Sequence, residues 1–192
     1  PARFLLDCHT TAIALKTSYR PLDLLDPDPE KQALQLQQVA QAVGSQTGFA
    51  QQPDWQGQCA ETGAWTRLRR RKAALADSLD PSGGITAWKR LASRWLELVE
   101  LCGDEPGKDS STAGLSSGAL ALGQGQALGW CEMARGLLLH WVQLDSQGQV
   151  EAYQVVAPTE WNFHPDGALA QALMQLSPQD TTQATLLSKA FD

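Results

Sequence analysis

Residues 136–156 constrain this chain more than any other stretch. Gly-Leu-Leu-Leu-His-Trp-Val-Gln-Leu, 136–144, reads as a strand, and Asp145-Ser146-Gln147-Gly148 reads as a hairpin turn with glycine where a positive φ falls. Val-Glu-Ala-Tyr-Gln-Val-Val, 150–156, alternates as the return strand. A two-stranded hairpin is marginal in water by itself, so it must pack on other elements. The other periodic segments read as helices. The fold class expected is therefore α+β and mainly helical: a helix bundle supporting a small antiparallel β-hairpin or sheet. Trp141 and Trp161 are the expected anchors, because indole supplies a large apolar area.

Residues 4–19 read as a helix that stops before Pro21. Asp26-Pro27-Asp28-Pro29 leads into a second helix over 30–43, with Pro29 and Glu30 suited to its first turn. Residues 44–63 lack periodicity and read as a loop. A third helix is expected over 64–79, until Asp80-Pro81-Ser82-Gly83-Gly84 breaks it. The clearest helix follows. Ile85, Trp88, Leu91, Trp95, Leu98 and Cys102 recur at spacings of three and four and make one apolar face, with Gly103 as its stop. Residues 104–118 are rich in Gly, Ser and Asp and read as a flexible linker. The chain thus divides into a helical region 1–103, a linker 104–118, and a unit 119–192. That unit holds the hairpin, an irregular loop over 158–165, and short helices at 167–176 and 181–190, the second capped by Asp180.

Of the 192 residues, 43% are apolar and 19% charged, as in a globular domain rather than a disordered chain. The net charge of −6 argues against broad binding to nucleic acid or anionic membrane. The basic run Arg67, Arg69, Arg70, Arg71, Lys72 reads as a solvated helix face, with docking of an acidic partner as the alternative. No apolar run has the length of a membrane span, and no signal-peptide pattern is visible, so a cytoplasmic location is expected. A start at Pro1 leaves a preceding native segment open. The four cysteines, Cys8, Cys59, Cys102 and Cys131, form no CxxC pair, so they read as free, buried or half-buried thiols. Cys8 and His9 are neighbours on a helix and point apart, which is poor geometry for joint metal binding. His140, between Leu139 and Trp141, reads as a buried, hydrogen-bonded structural histidine. His164 falls in a loop, where exposure is open to it.

One constellation goes further. Glu132-Met133-Ala134-Arg135-Gly136, then His140-Trp141, then the strand pair, then Pro158-Thr159-Glu160-Trp161-Asn162, and finally Phe191-Asp192, resembles the large subunit of nickel–iron hydrogenases. In that family the order is Glu-Ala-Pro-Arg-Gly, His-Trp, two strands, Pro-Thr/Ser-x-Trp-Asn, and Phe/Tyr-Asp before Pro-Cys-x-x-Cys. The resemblance covers residues 129–192 and is loose before that. The departures are the missing CxxC pairs, Met-Ala in place of Ala-Pro before Arg135, and His164-Pro165-Asp166 where the family has Ser-Pro-Arg-Asp. These losses resemble the hydrogenase-like accessory proteins of the HupK/HoxV group.

The resemblance implies a non-enzymatic scaffold in hydrogenase maturation that holds or transfers an iron–cyanide–carbonyl unit, Fe(CN)2CO, without stable nickel. Arg135 matches the arginine over the iron's diatomic ligands, and a guanidinium fork suits cyanide. Thr159 matches the residue that donates to the other cyanide, and both residues are expected to face one pocket. Asp192 matches the acidic residue before the family's last cysteine pair. Glu132 joins this cofactor-binding set, although a carboxylate there more often satisfies backbone or an arginine. Cys131 is the candidate metal ligand, since thiolate suits low-spin iron. Implied partners are a HypC-type chaperone and the hydrogenase large subunit. Two alternatives stand beside this: a fragment of a catalytic large subunit, and a purely partner-binding module.

Overall fold

The computed structural model describes residues 2–81, 83–103 and 115–192. The expected class holds, with eight helices and two antiparallel sheets among these residues. The first sheet pairs β1 (Lys16–Thr17) with β2 (Ile85–Thr86). The second is a four-stranded meander in the order β3 (Ser117–Gly123), β4 (Gln126–Met133), β5 (Gly136–Leu144), β6 (Val150–Val156). The hairpin strands fall where the sequence puts them. Strands β3 and β4 do not announce themselves, because Ser-Gly-Ala-Leu-Ala-Leu-Gly has neither β-branched residues nor clear turn chemistry. The linker expected over 104–118 falls mostly outside the described residues, and Ser117 and Gly118 already belong to β3.

Helix α1 (Ala2–Ala14) is shorter than its periodicity suggests, since Lys16 and Thr17 leave it to pair with Thr86 and Ile85. Helix α2 (Pro29–Ser45) begins as expected: the Asp28 side chain accepts from Glu30 N at 3.0 Å, and Pro29 sits in the first turn. The third expected helix is broken at Lys72 into α3 (Ala64–Arg71) and α4 (Ala73–Ser78). Helix α5 (Ala87–Gly103) follows β2 directly. The segment read as an irregular loop contains α6 (Pro158–Asn162), started by a proline in its first turn. Helices α7 (Ala168–Met174) and α8 (Thr181–Phe191) close the fold. Asp180 occupies the N-cap position of α8, but its side chain makes no capping hydrogen bond.

The largest core lies between α2, the loop after it and one face of the meander. Leu36, Val39 and Val43 of α2 meet Leu128, Leu137, Leu139, Trp141 and Val156, with Trp161 at 1% exposure beneath them. Both tryptophans are thus anchors. The loop over 46–63 contributes Phe49, Ala50, Trp55 and Ala60 to the same core, so a segment without periodicity is fixed by burial. Gly44 lets α2 approach the sheet: a Cβ there would stand 2.7 Å from Trp141 Cζ2. A second core joins α1, α5, α7 and α8 through Leu15, Leu91, Leu169, Leu187 and Phe191.

The basic run is not a solvated face. Arg67 is 1% exposed, with Nε and Nη2 each 2.6 Å from a carboxylate oxygen of Glu97. Arg70 bonds Glu132, Arg71 reaches Glu97, Lys72 bonds Glu100, and Arg69 pairs with Asp77. The charge is neutralised within the fold, because α5 and β4 bring carboxylates across from distant positions. The two histidines settle differently: His140 keeps the expected hydrogen bond but not full burial. His140 is half-buried and bonded to the Tyr153 hydroxyl, whereas His164 is buried. His164 is covered because the α6–α7 turn folds back over the 46–63 loop.

Candidate functional site

The site is built around Asn162. Pro158 starts α6 and Trp161 plugs its end into the core, which leaves Asn162, 4% exposed, where three chain segments meet. Its Oδ1 accepts from Thr62 N at 2.9 Å. Its Nδ2 donates to Arg135 O and to Phe191 O, each at 3.1 Å. One amide thus satisfies one backbone donor and two backbone acceptors, which only Asn or Gln can do. Thr62 adds a further tie, its Oγ1 accepting from Leu137 N at 3.0 Å. Gly136, at φ 135°, makes the close approach possible, since a Cβ there would overlap Thr62 Cγ2.

These ties place the β4–β5 turn beside the end of α8. Arg135 Nε lies 2.8 Å from Asp192 Oδ1, and the two side chains remain 58% and 52% exposed. Among the described residues no other group engages the Arg135 Nη atoms. Arg94 holds the end of α8 from the other side, donating to Lys189 O at 2.8 Å and Ala190 O at 2.6 Å. Burial pulls the Arg94 guanidinium below its usual range, and the Asp192 charge opposes that. Arg90 stacks on the Phe191 ring at 4.2 Å and forks onto Glu61 at 3.1 and 2.6 Å. Burial pushes the Glu61 carboxyl up, with Arg90 opposing. The cleft among these groups encloses only about 20 Å³, room for one water. Any larger ligand of Arg135 therefore sits on the open rim.

The other residues singled out in the sequence lie elsewhere. Glu132 is buried under α3, its Oε1 accepting from Arg70 Nη2 at 3.0 Å and its Oε2 from Ser116 N at 2.9 Å. Both of its oxygens are thus engaged by an arginine and by backbone. Cys131 is exposed, paired with Leu138 on the sheet face away from the core, and is not among the residues lining the Arg135 cleft. Cys102 is exposed as well, contrary to the expectation of covered thiols, because the end of α5 extends past the core. Thr159 is half-buried on α6, and its hydroxyl has no hydrogen-bond partner among the described residues. It does not line the cleft; Asn162, one turn later, does. Sequence reading passed over Asn162 as a positioning group, although it stands in the quoted Trp161-Asn162 motif. Arg94 carries no local signal at all. Among the described residues, no three His, Cys, Asp or Glu side chains converge as a metal cage.

A buried amide thus locks an Arg-Gly turn against a Phe-Asp pair, and these residues belong to the motifs that resemble the hydrogenase large subunit. The family described as nickel-dependent hydrogenase matches residues 88–184, just over half of the chain, and the chain belongs to that family. The hydrogenase expression/formation protein HoxV of Cupriavidus necator is 41% identical over all of this chain and 50% of its own length. The hydrogenase expression/formation protein HupK of Bradyrhizobium diazoefficiens is 34% identical over 78% of this chain and 40% of its own length. The uptake hydrogenase large subunit of Rhizobium leguminosarum bv. viciae is 26% identical over 73% of this chain and 29% of its own. The chain therefore spans about half the length of HoxV and less of the other two. Among the described residues, no helix is long and apolar enough to cross a membrane.

Proposed function

We propose that this chain belongs to a non-catalytic maturation protein for nickel–iron hydrogenases. It grips the diatomic ligands of an iron–dicyano–carbonyl unit and passes that unit to the hydrogenase large subunit. The cargo arrives from a HypC-type chaperone in the cytoplasm, and no nickel is retained. The observation that carries this reading is the Arg135–Asp192 pair. Asp192 engages Nε alone, which leaves the Nη edge of a half-exposed guanidinium free to donate to an anion such as cyanide. The unpartnered Thr159 hydroxyl supplies a second donor if the cargo lies across the rim of the cleft. The similarity to HoxV and HupK, which are named as expression/formation proteins, supports a role in assembly.

The similarity to an uptake hydrogenase large subunit favours a second reading, a piece of a catalytic subunit. The departures at Met133-Ala134 and at His164-Pro165-Asp166 weigh against it. Infrared spectroscopy of the native protein, purified anaerobically from cells with the maturation machinery, separates the readings. Cyanide and carbonyl bands in a nickel-free protein, lost in Arg135→Ala, are the expected result. A protein without such bands overturns cargo carriage, and one that carries nickel and turns over hydrogen establishes the second reading.

A further inference from the structure

Behind the Asn162 junction lies a separate cavity of about 600 Å³, lined among others by Asp54, Gln58, Cys59, His164, Asp166 and Gln171. In its wall Cys59 Sγ stands 3.1 Å from His164 Nδ1. His164 is 8% exposed, and Cys59 is half-buried. The backbone N–H of Asp166 also donates to His164 Nδ1, at 3.1 Å. An imidazole nitrogen that accepts carries no proton, so the ring proton sits on Nε2. Two donors, the thiol and the amide, therefore converge on one lone pair.

The spacing of the two heavy atoms is informative. Metal bonds of about 2.3 Å to sulfur and about 2.0–2.1 Å to nitrogen, at a right angle, place S and N about 3.1 Å apart. A tetrahedral angle would open that to about 3.6 Å with the same bond lengths. The 3.1 Å separation is that of a thiol–imidazole hydrogen bond, and it also lets one ion reach both atoms at a right angle. The adjoining cavity has room for the other ligands, and its lining carries Asp54 and Asp166 against the single arginine Arg20, with Glu61 paired to Arg90. Among the described residues no third His, Cys, Asp or Glu side chain converges on the pair.

We infer that Cys59 and His164 form a two-point docking site for a borderline-soft divalent transition-metal ion that keeps solvent or ligands of its own in the remaining positions. Thiolate and neutral imidazole together suit this class of ion and not magnesium or calcium. On binding, the Cys59 S–H bond breaks, an S–metal bond forms, and the proton leaves to solvent. The His164 Nδ1 lone pair turns from the Asp166 amide to the metal, and no oxidation state changes. Burial and the Asp166 and Asp54 carboxylates push the Cys59 thiol up. This site goes beyond the maturation reading and does not depend on Arg135.

The test is an anaerobic cobalt(II) titration of the chain with Cys8, Cys102 and Cys131 replaced by serine. A thiolate-to-cobalt absorption band that saturates at one ion per chain and vanishes in Cys59→Ser is expected. His164→Gln should weaken binding at least tenfold. Because His164 is buried, a second measurement protects against a misfolded variant: cobalt should slow alkylation of Cys59 in the otherwise native chain at least tenfold, while Cys102 and Cys131 react as before. A missing band, a band that survives in Cys59→Ser, or unprotected Cys59 overturns the inference.

Discussion

Arg135 and Asp192 meet at 2.8 Å because Asn162 fixes the backbone of one and of the neighbour of the other. The ion pair itself is exposed and adds little to stability. The rigidity comes from the buried amide beneath it, so the pair is positioned rather than held by its own attraction.

Asn162→Ala should therefore be costly away from any cargo. It leaves Thr62 N, Arg135 O and Phe191 O without their partner. The expected loss is about 3 kcal/mol, read from the midpoint of urea unfolding. Asn162→Asp should lose at least as much, since a buried carboxylate would face two carbonyl oxygens. A loss below about 1 kcal/mol in both variants would remove Asn162 from its central place.

Glu97 tests the buried charge under α3. Glu97→Gln leaves Arg67, 1% exposed, without its counterion, although Arg67 keeps Met133 O at 3.0 Å. The expected cost is about 3–5 kcal/mol by denaturation. The double change Arg67→Met with Glu97→Leu should recover most of that, because it removes both desolvated charges together. If the double variant is as unstable as the single one, the pair is not the reason.

Gly136 and Gly148 make a matched comparison. Both have positive φ, 135° and 75°, but only at Gly136 would a Cβ run into Thr62, while Gly148 faces open space. Gly148→Ala should cost about 1 kcal/mol and Gly136→Ala about 2–4 kcal/mol, compared by thermal or urea unfolding. Equal costs would mean that Thr62 yields.

Tyr19 sets an alkaline limit. Burial beside Trp65 pushes its hydroxyl from 10.0 up to about 12. A raised folded value means that the neutral phenol is favoured in the fold. The stability it contributes is complete below the unfolded value near 10 and is lost as pH rises through about 12. In a Tyr153→Phe background, which leaves Tyr19 as the reporter, phenolate absorbance should rise near that folded value, and fluorescence-detected stability should fall over the same window. A midpoint near 10 would show Tyr19 to be open to water.

Strands β5 and β6 were legible because alternation and the Asp145–Gly148 turn are local signals. Helix α2 was legible for the same reason, through Asp28 and Pro29. Strands β3 and β4 were not, since small residues there gain their pairing from neighbours and carry little propensity of their own. The arginine run was misread because its partners, Glu97, Glu100 and Glu132, are distant in sequence. The burial of His164 was not legible because a loop residue is buried only when another loop closes over it.

The sequence by itself determined the helices with local caps and periodicity, the hairpin, and the Arg135–Gly136 and Trp161–Asn162 motifs that mark the family. Only the tertiary structure decided that Asn162 joins three segments, that Asp192 reaches Arg135, that Glu132 serves Arg70, and that Cys59 faces His164. The division has a physical cause. Capping, turns and apolar periodicity act over a few residues, so the chain states them in order. Ion pairing and buried hydrogen bonds act through space, and only the packed fold brings their partners within reach.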